Sequence, residues 1–210
     1  KITMITGPTA GIGKSLAYQL AERGENLLLI ARREERLKNI SDEIQNKYNV
    51  NVLYFVADLT TQEAPKNIYK FCKEHQLDIS TLVLNAGYQI NTRLHEASIE
   101  DEEACLRVLG LSVIMQTKLH LNDLVKRGGG KIMVVSSIAA FAPTSKEFAV
   151  LYGPVKTFMN RFVEGINGAY NKDNIYATSV CPGFTTTEFH EMSGTHERMD
   201  KVPSFMKMTA

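Results

Sequence analysis

Tryptophan is absent from this sequence, proline occurs six times, cysteine three times, and neither sign of charge is in excess. Cys72, Cys105 and Cys181 are odd in number, far apart and without C-x-x-C spacing. Neither a disulfide framework nor a zinc site is indicated, and a reducing, cytoplasmic setting fits. The 24 basic and 23 acidic residues leave a formal net charge of +1 and are spread along the length, so no electrostatic footprint for nucleic acid stands out. The five histidines lack metal-ligand spacing. No apolar run approaches the roughly 18 to 20 residues that span a bilayer, and the first residues read as a strand, so no membrane segment is expected in this chain. Lys1 falls inside that strand and Ala210 ends without a closing element, as expected of a piece trimmed at both ends.

What is present is a chain of 210 residues, 44% apolar and 22% charged, the proportions of one large globular domain with a sizeable core. Short β-branched or Leu-rich runs alternate with amphipathic stretches of helical length. The spacing predicts strands over 2–6, 26–31, 51–56, 81–85, 131–136 and 175–181, and helices over 12–23, 34–47, 62–75, 101–126 and 154–170. Such βαβ alternation, with right-handed crossovers, folds into an α/β, doubly wound parallel sheet that binds ligands beyond the strands' carboxyl ends. No linker or repeat divides the chain, and Gly128-Gly129-Gly130 reads as a turn, so residues 1–210 are expected to form a single domain. From Phe184 onward the periodicity fades, and 184–210 is expected to be a mobile flap over a site.

Thr6-Gly7-Pro8-Thr9-Ala10-Gly11-Ile12-Gly13 leads from the first strand straight into the first helix, the context in which glycine spacing points to a dinucleotide. Gly7 permits a tight turn, Gly11 lets backbone approach a pyrophosphate, and Gly13 lets the helix pack near the sheet, while the helix N-terminus favours phosphate charge. Glycine also serves strand-to-helix turns for geometry alone. After the second strand, Ala31-Arg32-Arg33 stands where an NAD site places a carboxylate for the ribose 2′-hydroxyl. Arg32 suits a 2′-phosphate instead, and Arg33 either stacks on adenine or reinforces that contact, so NADP (NADPH) is the expected cofactor; a solvated arginine pair is the alternative. Asp58, followed by Leu59 at the end of the third strand, is placed either to accept from the adenine amino group or to cap the next helix.

Thr6-Gly-x-x-x-Gly-Ile-Gly13, Asn85-Ala86-Gly87, Tyr152-x-x-x-Lys156 and Pro182-Gly183 occur in this order over nearly the whole chain. Together they resemble the short-chain dehydrogenase/reductase family, a resemblance that implies a single Rossmann domain and nicotinamide-dependent redox chemistry. Tyr152 and Lys156 lie four residues apart where Pro154 marks the start of a helix, so their side chains share a face. A phenol with a reference pKa of about 10 is a poor acid or base at neutral pH, and a nearby ammonium lowers that value. In the family the tyrosine is the general acid/base and the lysine also holds the nicotinamide ribose, roles that fall here on Tyr152 and Lys156. The family's catalytic serine falls on Ser137. Asn85, Ala86 and Gly87 correspond to the segment beside the adenosine ribose, and Pro182, Gly183, Thr185 and Thr187 to the one contacting the nicotinamide carboxamide; an ST-turn is the rival reading of the threonines.

Two departures stand out. The Ser137-to-Tyr152 interval is slightly longer than usual, with Ser145 as a weaker substitute for Ser137, and Leu109 occupies the place of an asparagine that organises a relay water in many members. Leucine neither donates nor accepts a hydrogen bond. The family's usual last strand also lacks a counterpart before Ala210, which implies an exposed sheet edge. Tyr88, Phe141, Pro143, Phe184, Phe189 and Met192 flank the motifs and suggest an apolar pocket for a small-molecule ketone or aldehyde and its alcohol. The leading expectation is a carbonyl reductase, and a non-catalytic NADP-binding protein is its rival. Pairing through long helices into a homodimer or homotetramer is implied by the resemblance alone.

Overall fold

Leu27, Leu28, Leu29 and Ile30 are consecutive and all fully buried, so the strand that carries them is covered on both faces. The computed structural model describes residues 1–143, 150–189, 193, 200 and 202–210. Six parallel strands form the central sheet: β1 (Ile2–Thr6), β2 (Asn26–Ala31), β3 (Val52–Val56), β4 (Ile79–Leu84), β5 (Gly130–Val135) and β6 (Ile175–Val180). Their spatial order is β3-β2-β1-β4-β5-β6. The order reverses between β1 and β4, and a doubly wound sheet opens its ligand crevice at that point.

The pleat decides which helix each side chain meets. Ile5, Leu27, Leu29 and Val83 pack with Ala17 and Ala21 of α1 (Gly11–Glu22) and with Leu37, Ile40 and Ile44 of α2 (Glu34–Tyr48). Met4, Leu28, Ile30, Leu82 and Ile132 pack on the opposite side, with α3 (Ala64–Glu74), α5 (Ser112–Lys126) and α6 (Tyr152–Tyr170). Each of the six expected strands and five expected helical regions is present, with ends displaced by only a few residues. The fold is therefore the doubly wound α/β sheet that the alternation implied.

Two regions differ from expectation. The helix expected as one rod over 101–126 is divided: α4 (Ile99–Leu106) passes into a single π-type turn at Arg107–Leu111 before α5 begins. The residues of that turn are ordinary helix formers apart from Gly110, so nothing in their spacing marks the change. The stretch from Phe184 also carries structure of its own. β7 (Phe184–Thr186) pairs in parallel with β8 (Lys207–Thr209), a two-stranded sheet separate from the central one. Among the described residues β6 is an edge strand of the central sheet.

His120 lies in α5 with 1% of its surface exposed. Its Nδ1 donates to the Gln116 carbonyl at 2.9 Å, and its ring meets Tyr69 of α3 edge-on. Burial lowers the imidazole's pKa because the charged form loses its water. The native state therefore binds fewer protons than the unfolded chain, whose histidines titrate near about 6.5, and the stability present above that pH declines as pH falls below it. Urea midpoints measured at pH 7.5 and pH 5 should drop further in the wild type than in His120→Leu; equal drops would show that His120 carries none of the pH dependence.

Candidate functional site

The chain leaves β1 at Thr6 and turns at once. Gly7 (φ +69°) and Gly11 (φ +51°) hold the left-handed conformations that glycine adopts without steric cost. Gly13 is required for a different reason: a Cβ there would stand 2.2 Å from the Gly7 carbonyl oxygen and 2.4 Å from the Asn85 amide nitrogen. Helix α1 abuts the turn because nothing projects from Gly13. Ala10, at the N-cap, has no side chain with which to occupy the first-turn N–H groups, so they are available to an anion.

Asn85 ties this turn to the end of β4. Its Nδ2 donates to the carbonyls of Thr6 and Gly7, at 3.0 Å each. In return the Thr6 hydroxyl accepts from the backbone N–H of Asn85 at 3.0 Å and of Ala86 at 3.1 Å. Both sides of the topological switch are thus locked together. Thr6 was expected only as a motif position, and its bracing hydroxyl has no local signature.

Past β2, the Arg33 guanidinium crosses to the glycine-rich turn and donates to the Thr9 hydroxyl at 3.1 Å, while Arg32 remains exposed. Asp58 accepts from the backbone N–H and hydroxyl of Thr60, closing a short turn, and α3 starts later, at Ala64, behind Glu63. Of its two expected roles, helix capping is therefore the one the backbone does not support. Glu188 pairs with Arg36 at 2.8 Å and Arg33 at 3.6 Å, and these arginines hold its carboxyl below the usual range. Glu188 and Arg36 are separated by 152 residues, and no nearby pattern announces the contact.

Tyr152 opens α6 and Lys156 follows one turn later, as the Pro154 argument required. The Lys156 ammonium donates to the Val135 carbonyl at 2.8 Å and lies 5.5 Å from the Tyr152 ring centroid. The Ser136 hydroxyl anchors the same helix through the Lys156 carbonyl at 3.1 Å. Ser137 and Tyr152 line the same groove, and Ser137 pulls the phenol's pKa down, so the longer interval between them does not keep them apart. A short 3₁₀ turn at Ile138–Ala140 follows Ser137, while Ser145 lies outside the described residues.

Electrostatically the pair differs from the simple expectation. Burial pushes the Tyr152 phenol up to about 12 against the opposing pull of Ser137, and burial brings the Lys156 ammonium down to about 8. Desolvation, and not attraction between the two, dominates both groups. Leu109, in the π-type turn, is buried against Cys105 and Val155 in a cluster that also touches Tyr152. Its contacts there are apolar.

The candidate catalytic and cofactor-binding residues all line one groove of about 750 Å³. It runs from Arg32, Arg33 and Asp58, past Gly7–Gly13 and Asn85–Gly87, to Ser137, Tyr152, Lys156 and the segment Pro182–Thr187. Tyr88, Pro143, Phe184 and Phe189 add apolar walls, but Phe141 does not: it is 74% exposed and outside the lining. Met192 lies outside the described residues. Among the described residues no group of histidine, cysteine or acidic side chains is arranged to hold a metal, and no helix is long and apolar enough to cross a membrane.

A crevice at the strand-order reversal, bordered by a glycine turn and a helix N-terminus, defines a dinucleotide-binding α/β protein. The profile described as short chain dehydrogenase matches residues 1–198, and the chain belongs to that family. A very-long-chain 3-oxoacyl-CoA reductase from Anas platyrhynchos is 31% identical over 98% of this chain and 64% of its own length. Its Rattus norvegicus counterpart is 31% identical over 88% of this chain and 59% of its own length, so the chain spans about six tenths of these curated relatives. Among solved structures, a short-chain dehydrogenase from Sphingobium yanoikuyae in complex with NADPH superposes with a TM-score of 0.90 at 26% identity, covering 98% of this chain and 78% of that one. L-Sorbose reductase from Gluconobacter frateurii, complexed with NADPH and L-sorbose, gives 0.85 at 26% identity, with 96% and 76% covered.

The close approach at Gly13 makes a measurable demand. Gly13→Ala should cost about 1–3 kcal/mol through overpacking, seen as a lower urea midpoint. Gly165→Ala, in the interior of α6 with open space around it, should gain up to about 1 kcal/mol.

Proposed function

We propose that this protein is an NADP(H)-dependent oxidoreductase acting on a ketone or aldehyde, or on the corresponding alcohol. The observation that carries the reading is the convergence of Ser137, Tyr152 and Lys156 at one end of a groove whose other end presents Arg32 and Arg33. The groove fits a dinucleotide: Gly13 leaves no room for a Cβ, the first-turn N–H groups of α1 face an anion, and the arginines suit a 2′-phosphate. The NADPH complexes of the two structural neighbours support the same cofactor. When bound, the nicotinamide supplies or accepts the hydride.

This chain's own residues handle the proton. The phenol, near 12, holds its hydrogen at neutral pH, so Tyr152 is in the protonation state that carbonyl reduction requires, and the negative charge growing on the carbonyl oxygen draws the proton across. The Ser137 hydroxyl, beside the phenol in the same groove, orients that oxygen. Lys156 has three donors, one of them spent on Val135, and the others are suited to ribose hydroxyls. Pro182, Gly183 and Thr185 border the nicotinamide end, Thr187 lies against Gly11 at the glycine turn, and Thr9, Ile12, Leu59, Ala86 and Gly87 complete the nucleotide cradle. Tyr88, Pro143, Phe184 and Phe189 favour an apolar substrate. Three free cysteines support a cytoplasmic setting, and the half-exposed Leu111 and Phe158 on neighbouring elements support a homodimer or homotetramer.

A non-catalytic NADP-binding protein is the second reading, and buried Leu109 favours it because no side chain there organises a relay water. Carbonyl-dependent NADPH oxidation decides between them. Tyr152→Phe should retain NADPH binding and lose about 10²- to 10⁴-fold in kcat/KM; nucleotide binding without turnover across a broad carbonyl panel would favour the second reading. The pH profile gives another check. Lys156 is charged below about 8, so carbonyl reduction should decline as pH rises through that value; a rate flat from pH 7 to 9.5 would exclude its ammonium as a participant.

A further inference from the structure

The strap formed by Thr187 and Glu188 crosses the groove at the glycine-rich turn. A Cβ on Gly11 would lie 2.8 Å from the Thr187 side chain, so the strap rests directly on the surface that the proposed pyrophosphate must reach. One side of it is anchored by the pairing of β7 with β8. On the other, the Phe189 ring reaches to within 6.0 Å of the Tyr152 ring. Between them, Glu188 receives two hydrogen bonds from Arg36 Nη1, at 2.8 and 3.1 Å, and faces Arg33 at 3.6 Å. Arg33 borders the groove, whereas Arg36 is absent from its lining.

We infer that the Glu188–Arg36 ion pair is a clasp that holds this strap over the groove and slows release of the nucleotide. The inference rests on the cofactor reading above. A dinucleotide lying between the glycine turn and the strap leaves when the strap lifts, and lifting it breaks the pair. Glu188 and Arg36 are then retention residues, acting through the strap on a cofactor that Arg36 does not border. Both side chains are more than two fifths exposed, so the clasp is weak and opens readily.

The test is the rate of nucleotide release, followed by the fluorescence of NADH or NADPH displaced from the full chain by excess oxidised nucleotide. NADH is the decisive probe, because it lacks the 2′-phosphate that Glu188 would repel. Arg36→Gln and Glu188→Gln should each speed NADH release about two- to five-fold, the range expected of an exposed ion pair. The double variant should release no faster than Glu188→Gln alone, since losing Arg36 removes nothing further once Glu188 is neutral. Added 0.5 M KCl should speed release from the wild type by a larger factor than from the variants, in which only the nucleotide's own charges remain to be screened. Unaltered rates in both single variants, or effects that multiply in the double, would overturn the clasp while leaving the cofactor reading intact. A wild type that binds neither nucleotide at equilibrium would overturn that reading and the clasp with it.

Discussion

The site depends on the missing side chain at Gly13. Because no Cβ intervenes, α1 approaches the Gly7 carbonyl and the Asn85 amide closely enough for β1, α1 and β4 to meet at one point. Asn85 then bonds both carbonyls that close the turn, and Thr6 answers through the backbone of Asn85 and Ala86. These bonds satisfy buried backbone groups at the place where the strand order reverses, a gap that would otherwise leave them without partners. The direction of the α1 N-terminus and the mouth of the groove both follow from that contact.

From this junction the groove extends in two directions of different character. Toward Arg32 and Arg33 it is charged and open to solvent, where electrostatic contacts are weak individually and screened by salt. Toward Tyr152 and Lys156 it is buried, and desolvation governs. A dinucleotide has a matching asymmetry, with a phosphate-bearing adenosine at one end and a nicotinamide at the other. The two ends of the groove therefore differ in physical regime as well as in residue type.

The fold was readable in the chain because strands buried on both faces must be apolar at consecutive positions, as in Leu27 to Ile30, and because the intervening helices alternate their faces. Motif residues were readable for the same local reason: Gly7, Gly11 and Gly13 act within one turn, and Tyr152 and Lys156 within another. The features that escaped are those in which local spacing carries no information. The π-type turn at Arg107–Leu111 uses residues equally at home in an α-helix. β7 and β8 are three residues each and far apart in sequence, and Arg36 meets Glu188 only after the whole sheet has formed.

The balance between Tyr152 and Lys156 belongs to this last group, because it is set by burial rather than by spacing. Four residues of separation bring an ammonium toward a phenol, and on that ground alone the phenol should become more acidic. Enclosure by β5, α6 and the Cys105–Leu109–Val155 cluster works against this, raising the phenol to about 12 and lowering the ammonium to about 8. Each group is pushed toward its neutral form, so at neutral pH the tyrosine holds its proton and the lysine is close to giving one up. Leu109 adds no polar atom to that cluster, and the one pull toward a more acidic phenol comes from Ser137. Both shifts are thus set by enclosure, and neither follows from the four-residue spacing that brings the two side chains together.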